Sequence, residues 1–418
     1  WRQLGLEGWG WDDVLPLFIK AEDHVDGPSA MHGAGGEQRV ERQRLRWPLL
    51  DAFREAAAQY GIPKTADFNR GDNDGSGYFE VTQRRGWRWS AADAFLRPAW
   101  GRHNLRIVTG AVVDRIALKE GGARGVFFSL KGGAHYARVW VGGVFSAGAL
   151  GSPAILQRSG IGDGAMLQDL DIVPLHHLPG VGGNLQDHLQ IRCAWQVSGI
   201  STLNERASSL WGKARIGLEY LLNRSGPMAM APSQLGLFTR SHPHLATPNL
   251  EYHVQPLSLA AFGGDLDPFP AFTASVCNLR PNSRGDVQIA SVDPAAAPLI
   301  RPNYLSDPQD VDVAVEAVRI TRAIVAQAAL APYHPVEFRP GPELASDAEL
   351  AVAAGRIATT IFHPVGTAAM GSGARAVVDA YARAFPDKKP VEIWSLVSSN
   401  RQGVVTLADA KAKQAPPV

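Results

Sequence analysis

The passage from Val139 to Gly162 constrains the fold most: an apolar run broken by glycines leads into Gly148-Ala149-Leu150-Gly151-Ser152-Pro153-Ala154-Ile155-Leu156-Gln157-Arg158-Ser159-Gly160-Ile161-Gly162. Glycines let backbone pass close to a ligand or to a neighbouring element. Ser152 stands where a side chain can cap a helix and Pro153 suits the first helical position, so the spacing predicts a helix over 153–158. A strand, a glycine turn and a capped helix in succession expose free N–H groups at a dipole end, which suits a dinucleotide or its diphosphate. The same order also describes a plain strand–helix turn packing small residues, and spacing alone leaves both readings open.

Around this passage the periodicity changes twice. Apolar positions at helical spacing predict helices over 12–22 and over 47–60, the latter with Leu49, Leu50, Phe53 and Ala57 on one stripe and Gly61 as its stop. From Asn104 short alternating runs at 105–109, 112–118, 124–130, 137–141 and 144–146 predict strands separated by glycine turns. Further helices are expected at about 205–223 and 309–328, with a strand-rich region at 247–302 between them. Ser346-Asp347-Ala348-Glu349 is a capping box that opens another helix.

The composition narrows the function classes. In 418 residues, 41 Lys and Arg against 40 Asp and Glu leave a net charge of +1, which excludes a polybasic nucleic-acid face, an acidic tail and a disordered chain. With 45% hydrophobic residues, the length suits two or three domains with a large core. Cys193 and Cys277 are too few for a disulfide framework or a multi-cysteine metal site, and two buried thiols in a reducing cytosol are favoured over one bridge. The uncharged passage from Val139 to Leu156, 18 residues, contains four glycines and Pro153 and is no membrane helix. The chain opens on Trp1-Arg2 without a signal peptide, and its first methionine is Met31, so further residues are expected upstream.

A second motif carries chemistry: Thr359-Thr360-Ile361-Phe362-His363-Pro364-Val365-Gly366-Thr367-Ala368-Ala369-Met370-Gly371. Pro364 holds His363 in extended backbone, and a half-buried imidazole titrating near neutrality suits a proton acceptor. A histidine held by a backbone partner for structural reasons is the alternative. Asp187-His188 invites an acid–base pairing, but adjacent residues in extended backbone point apart, which argues against it. The pairs His176-His177 and His242/His244 lack a third ligand, so no metal site is expected. No G-x-S-x-G supports a nucleophile elbow.

Together these motifs resemble the glucose–methanol–choline (GMC) family of FAD-dependent oxidoreductases. GALGSPAILQRSGIG is similar to that family's second signature, and LPGVGGNLQDHL, IRPNYLSDPQDVDVAVEAVRITRAIV and TTIFHPVGTAAMG follow in family order. WRQLGLEGWGWDDVLPLF and DFNRGDNDGSGYFEVTQRRGWRWSAADAFLRPA resemble the choline-dehydrogenase-like branch. The likeness covers about residues 1–379.

The resemblance implies a mixed α/β (α+β) fold: a discontinuous, incomplete FAD-binding domain and an antiparallel-sheet substrate domain. It divides the chain into a connecting and lid region with part of the substrate domain (1–104), an FAD-domain segment (105–185), the substrate domain (186–344) and a C-terminal FAD-domain segment (345–418), atypical after 379. It makes His363 the acceptor of the hydroxyl proton while a hydride leaves the α-carbon for flavin N5. Val113 matches the position whose backbone meets the adenine, and Ser146, Ala147 and Gly148 match the strand end against the FAD. It also implies a strand–GxGxxG–helix unit of roughly 80 residues upstream of Trp1. After Asp379 the family pattern is lost, so its second catalytic His or Asn is not assigned to Asn400.

The function expected from this resemblance is oxidation of a primary alcohol, with a quinone or another acceptor taking the electrons, by a protein that is cytoplasmic or peripheral to a membrane. A flavin-free, non-catalytic fragment and a lyase of the same family are the alternatives. The substrate's identity and the oligomeric state are not legible.

Overall fold

Strict alternation along Leu189–Gln196, Leu250–Gln255 and Ala271–Asn278 sends every second side chain to one side, and these segments form the middle of an antiparallel sheet. The computed structural model describes residues 1–119, 122–140, 142–261 and 263–379 and, beyond them, the backbone of 383–384, 391–393 and 405–408. Asn400 lies outside the described residues.

In chain order the strands used below are β1 (Gly75–Tyr78), β2 (Ala111–Lys119), β3 (Gly122–Leu130), β4 (Gly133–Arg138), β5 (Leu189–Gln196), β6 (Leu235–Thr239), β7 (Leu250–Gln255), β8 (Ala271–Asn278), β9 (Val336–Arg339) and β10 (Ala358–Thr360). The large sheet runs β1-β6-β7-β8-β5, and β9 and β10 lie end to end along the outer edge of β5. The helices are α1 (Trp11–Ala21), α2 (Pro48–Tyr60), α3 (Gly148–Arg158), α4 (Leu210–Asn223), α5 (Pro308–Val325) and α6 (Asp347–Ile357).

One face of the sheet is apolar. Ile191, Trp195, Leu237, Tyr252, Val254 and Phe272 pack with Leu50 and Phe53 of α2, Val318 of α5 and Leu350 of α6 in one buried cluster. Each such side chain contributes roughly 1.5–3 kcal/mol on burial. The stripe read from the sequence is the buried face of α2, which ends at Gly61. Ser346 and Glu349 form the expected capping box of α6. The opposite face carries Gln190, Arg192, Gln255, Thr273 and Ser275, all buried, with Glu251 and His253 between them.

A second, smaller cluster surrounds α3, with Ile155, Leu156, Val181, Ala368, Val377 and Val378. Gln157 is fully buried and fully used: its Nε2 donates to Val181 O, Val287 O and Gln288 Oε1, and its Oε1 accepts from Ile289 N. The strands expected from residue 105 onward include the three-stranded sheet β4-β3-β2 beside this helix.

Two expectations need correction. Helix α3 begins at Gly148, five residues before Pro153, so Ser152 is no N-cap; it sits inside the helix, buried, with no hydrogen-bond partner for its Oγ among the described residues. Proline is tolerated there because the Thr367 hydroxyl donates to Ala149 O at 2.6 Å, the carbonyl that Pro153 cannot serve. The helix expected at 205–223 is two helices, Leu203–Arg206 and α4, separated where Ser209 accepts Gly212 N–H as a new N-cap.

Candidate active site

His363 reaches its place through strand pairing. Strand β10 lies antiparallel to the start of β5, with Leu189 opposite Thr360, and this sets His363 beside Asp187 and His188. Asp187 and His188, for which a mutual acid–base pairing was argued against, make their hydrogen bonds to other residues. Each instead addresses His363.

Asp187 is the clamp. Its Oδ1 accepts the backbone N–H of His363 at 3.0 Å, and its Oδ2 accepts the hydroxyls of Tyr304 and Thr360, both at 2.5 Å. Thr360 Oγ1 in turn accepts Phe362 N–H at 2.9 Å. Phe362 stands at φ +67°, an uncommon conformation for a bulky side chain, which these bonds hold on the way into His363. Gly366 follows at φ +96°, where a Cβ would come within 2.3 Å of Asn184 O, so only glycine lets the chain turn toward Thr367. Burial, assisted by Asp187, pushes the Tyr304 phenol up, so it stays a donor.

His188 fixes the proton on His363. Its Nε2 lies 3.3 Å from Leu279 O, a group that only accepts, so Nε2 carries the hydrogen. In the neutral ring Nδ1 is then an acceptor, and it faces His363 Nδ1 at 3.2 Å. His363 therefore donates from Nδ1 and keeps a lone pair on Nε2, a tautomer assigned from these partners. Burial first, then the nearby His188, lowers the pKa of His363 below the usual histidine value, so the ring is neutral at physiological pH.

Strand β7 brings up two more groups that sequence reasoning missed. Glu251 Oε1 lies 3.3 Å from His253 Nε2, and His253 stacks on Phe79 with 5.4 Å between centroids. Burial pushes Glu251 up, but His253, His188 and His363 outweigh it and hold the carboxyl below its ordinary value, so it is anionic. His253 Nδ1 is buried and has no hydrogen-bond partner among the described residues. The available signal was Glu251 and His253 at alternate positions of a strand, between the apolar Leu250, Tyr252 and Val254. His188, Glu251 and Cys277 bring ligand-type atoms within 4.8 Å of one another, as do His24, His32 and Glu80.

Three of the expected cofactor positions, Ser146, Ala147 and Gly148, lie at the start of α3, whereas Val113 lies against its last residue, Arg158. Ser146 is exposed, Ala147 partly so, and Gly148 is buried at φ +75°. Among the described residues no side chain caps α3, so its first N–H groups lack a side-chain acceptor, and a helix start of this kind suits an anion. Val113 sits at a β-bulge in β2, and its carbonyl accepts from Arg158 of α3 at 3.4 Å. An uncapped helix start, a left-handed glycine and a strand bulge on adjoining elements fit a dinucleotide. They stand apart from His363 in sequence but are tied to it by Thr367.

Family profiles described as GMC oxidoreductase match residues 1–190 and 281–386. Mitochondrial choline dehydrogenase of Mus musculus is 37% identical over 385 residues, 92% of this chain and 64% of that protein, so the chain spans just under two thirds of its length. Alcohol dehydrogenase [acceptor] of Pseudomonas putida is 35% identical over 91% of this chain and 69% of that protein. Among solved structures, pyridoxine 4-oxidase of Mesorbium loti superposes with a TM-score of 0.81 at 29% identity, covering 93% of this chain and 72% of that one.

Proposed function

The chain belongs to the GMC oxidoreductase family, and from that premise we propose that it oxidises the CH–OH group of a primary alcohol with FAD as cofactor and His363 as proton acceptor. The observation that carries this reading is the hydrogen-bond chain Leu279–His188–His363, which leaves a lone pair on His363 Nε2. Val113, Ser146, Ala147 and Gly148 would hold the cofactor, through backbone N–H groups and the open start of α3. When bound, FAD supplies the acceptor for the hydride and its two electrons.

The chain's own residues handle the proton. His363 Nε2 takes it from the substrate hydroxyl. The imidazolium so formed is stabilised twice: its Nδ1–H bond to His188 becomes charge-assisted, and the anionic Glu251 lies beside His188. Asp187 keeps the backbone of His363 fixed while the ring changes charge. His253 Nδ1, buried and unpaired, is free to meet the substrate oxygen. The named relatives act on alcohols, and a quinone or a similar acceptor would reoxidise the flavin.

The test is an anaerobic stopped-flow record of the chain loaded with FAD, mixed with choline or a simple primary alcohol. Bleaching of the flavin bands supports the reading, and His363→Ala should slow it by a factor of about 100 or more. Bleaching at an unchanged rate in that variant would remove His363 from the chemistry. A protein that stays colourless with FAD would overturn the reading for this chain.

A further inference from the structure

Helix α4 has its apolar side on the outside. Leu210, Trp211, Leu218, Leu221 and Leu222 are between 55% and 85% exposed, while Ile216 is the helix's one buried residue. At 3.6 residues per turn, those five side chains fall within an arc of about 120°, and Ile216 lies opposite its centre. A surface helix normally turns such an arc toward the core. This one is held the other way round: Arg206 pairs with Glu219 at 3.1 Å, and Tyr220 donates to Gly86 O at 3.3 Å.

The charges around the arc have one sign. Lys213 and Arg215 are exposed on its two flanks, and the helix's single acidic residue, Glu219, is neutralised by Arg206. At its C-terminal end Arg44 Nη2 donates to Asn223 O, and the Arg224 guanidinium lies 4.0 Å from the centroid of exposed Trp87. Arg85 and Arg88, on either side of Trp87, are exposed too.

We propose that α4 and the adjoining Trp87 turn form a seat for an anionic phospholipid surface. The apolar arc would enter the acyl boundary, Trp211 would lie at the headgroup level, and the flanking cations would meet lipid phosphates. Among the described residues no helix is long and apolar enough to cross a membrane, so the contact is in-plane. A second copy of the chain fits less well, because a two-fold interface on this arc would bring both basic rims together. The inference is independent of the alcohol-oxidising reading.

The experiment is co-sedimentation of the full chain with extruded vesicles of phosphatidylcholine, alone or mixed with phosphatidylglycerol, at low and high salt. Binding should be confined largely to the mixed vesicles, fall as salt rises, and shift tryptophan emission to the blue. Two variants separate the causes: Leu218→Ser with Leu221→Ser and Leu222→Ser, and Lys213→Glu with Arg215→Glu. Each should weaken binding by roughly tenfold or more, with circular dichroism unchanged because every substituted side chain is exposed. Three results would overturn the proposal: no sedimentation of the unaltered chain with mixed vesicles, undiminished binding by the triple-serine variant, or a dimer that this variant turns into a monomer.

Discussion

The two faces of the seven-stranded sheet are both buried and made of opposite material. Toward α2, α5 and α6 the strands present Ile191, Trp195, Tyr252 and Phe272, and the partners are other hydrocarbon groups. Toward His363 the same strands present Gln190, Arg192, Glu251 and His253. Burial of hydrocarbon stabilises the fold wherever it occurs, whereas a buried polar atom costs about 1–3 kcal/mol unless it is paired. On that second face His253 Nδ1 is buried without a partner among the described residues. Hydrocarbon packing lies on one side of a strand and the proposed chemistry on the other, one residue apart.

That division can be broken by substitution. The largest effect should come from Phe272→Ala, which empties the contact among Trp195, Phe53 and Phe272. It should cost about 3–5 kcal/mol in urea unfolding, with the flavin-reduction rate per folded molecule changed little. Asp187→Ala, on the polar side, strands three donors and should cost about 1–3 kcal/mol. It should also slow reduction at least tenfold, because His363 loses its backbone anchor; an unchanged rate would show that the anchor is dispensable. Thr367→Val leaves the Ala149 carbonyl without a donor and should cost about 1 kcal/mol or somewhat more in the same unfolding measurement.

The finest effect is one of pH. His363 is held below the usual histidine value by burial and by His188. Removing His188 by His188→Ala lifts both influences in part, so the pKa should rise toward the ordinary value. Only the neutral ring accepts a proton, so the acidic limb of the reduction rate should move to higher pH. A limb that moves down would show instead that the hydrogen bond His188 accepts from the imidazolium outweighs burial and repulsion.

How much of this was legible depends on where each partner lies in the chain. Helix α2 was readable because its apolar stripe and its stop at Gly61 are local. The start of α3 was not, because the donor that makes Pro153 acceptable inside the helix is Thr367, 218 residues from the carbonyl it serves. His188 was set aside on a sound local rule: neighbours in a strand point apart. The contact with His363 arises instead from the register of β5 against β10. Glu251 and His253 stood in view as charges within an apolar strand, but only the packed sheet says which side is served by helices and which is not.

The bond between Thr367 and Ala149 also acts as an alignment pin. Thr367 lies four positions after His363, and Ala149 directly follows Gly148, so a single contact of 2.6 Å joins the frame of the proposed proton acceptor to that of the proposed cofactor helix. Reacting atoms must stand about 3–3.5 Å apart, and an error of about 1 Å can lower a rate by about 100-fold. The alignment of two distant stretches of chain thus rests in part on one hydroxyl group, at a carbonyl that Pro153 leaves without its helical donor.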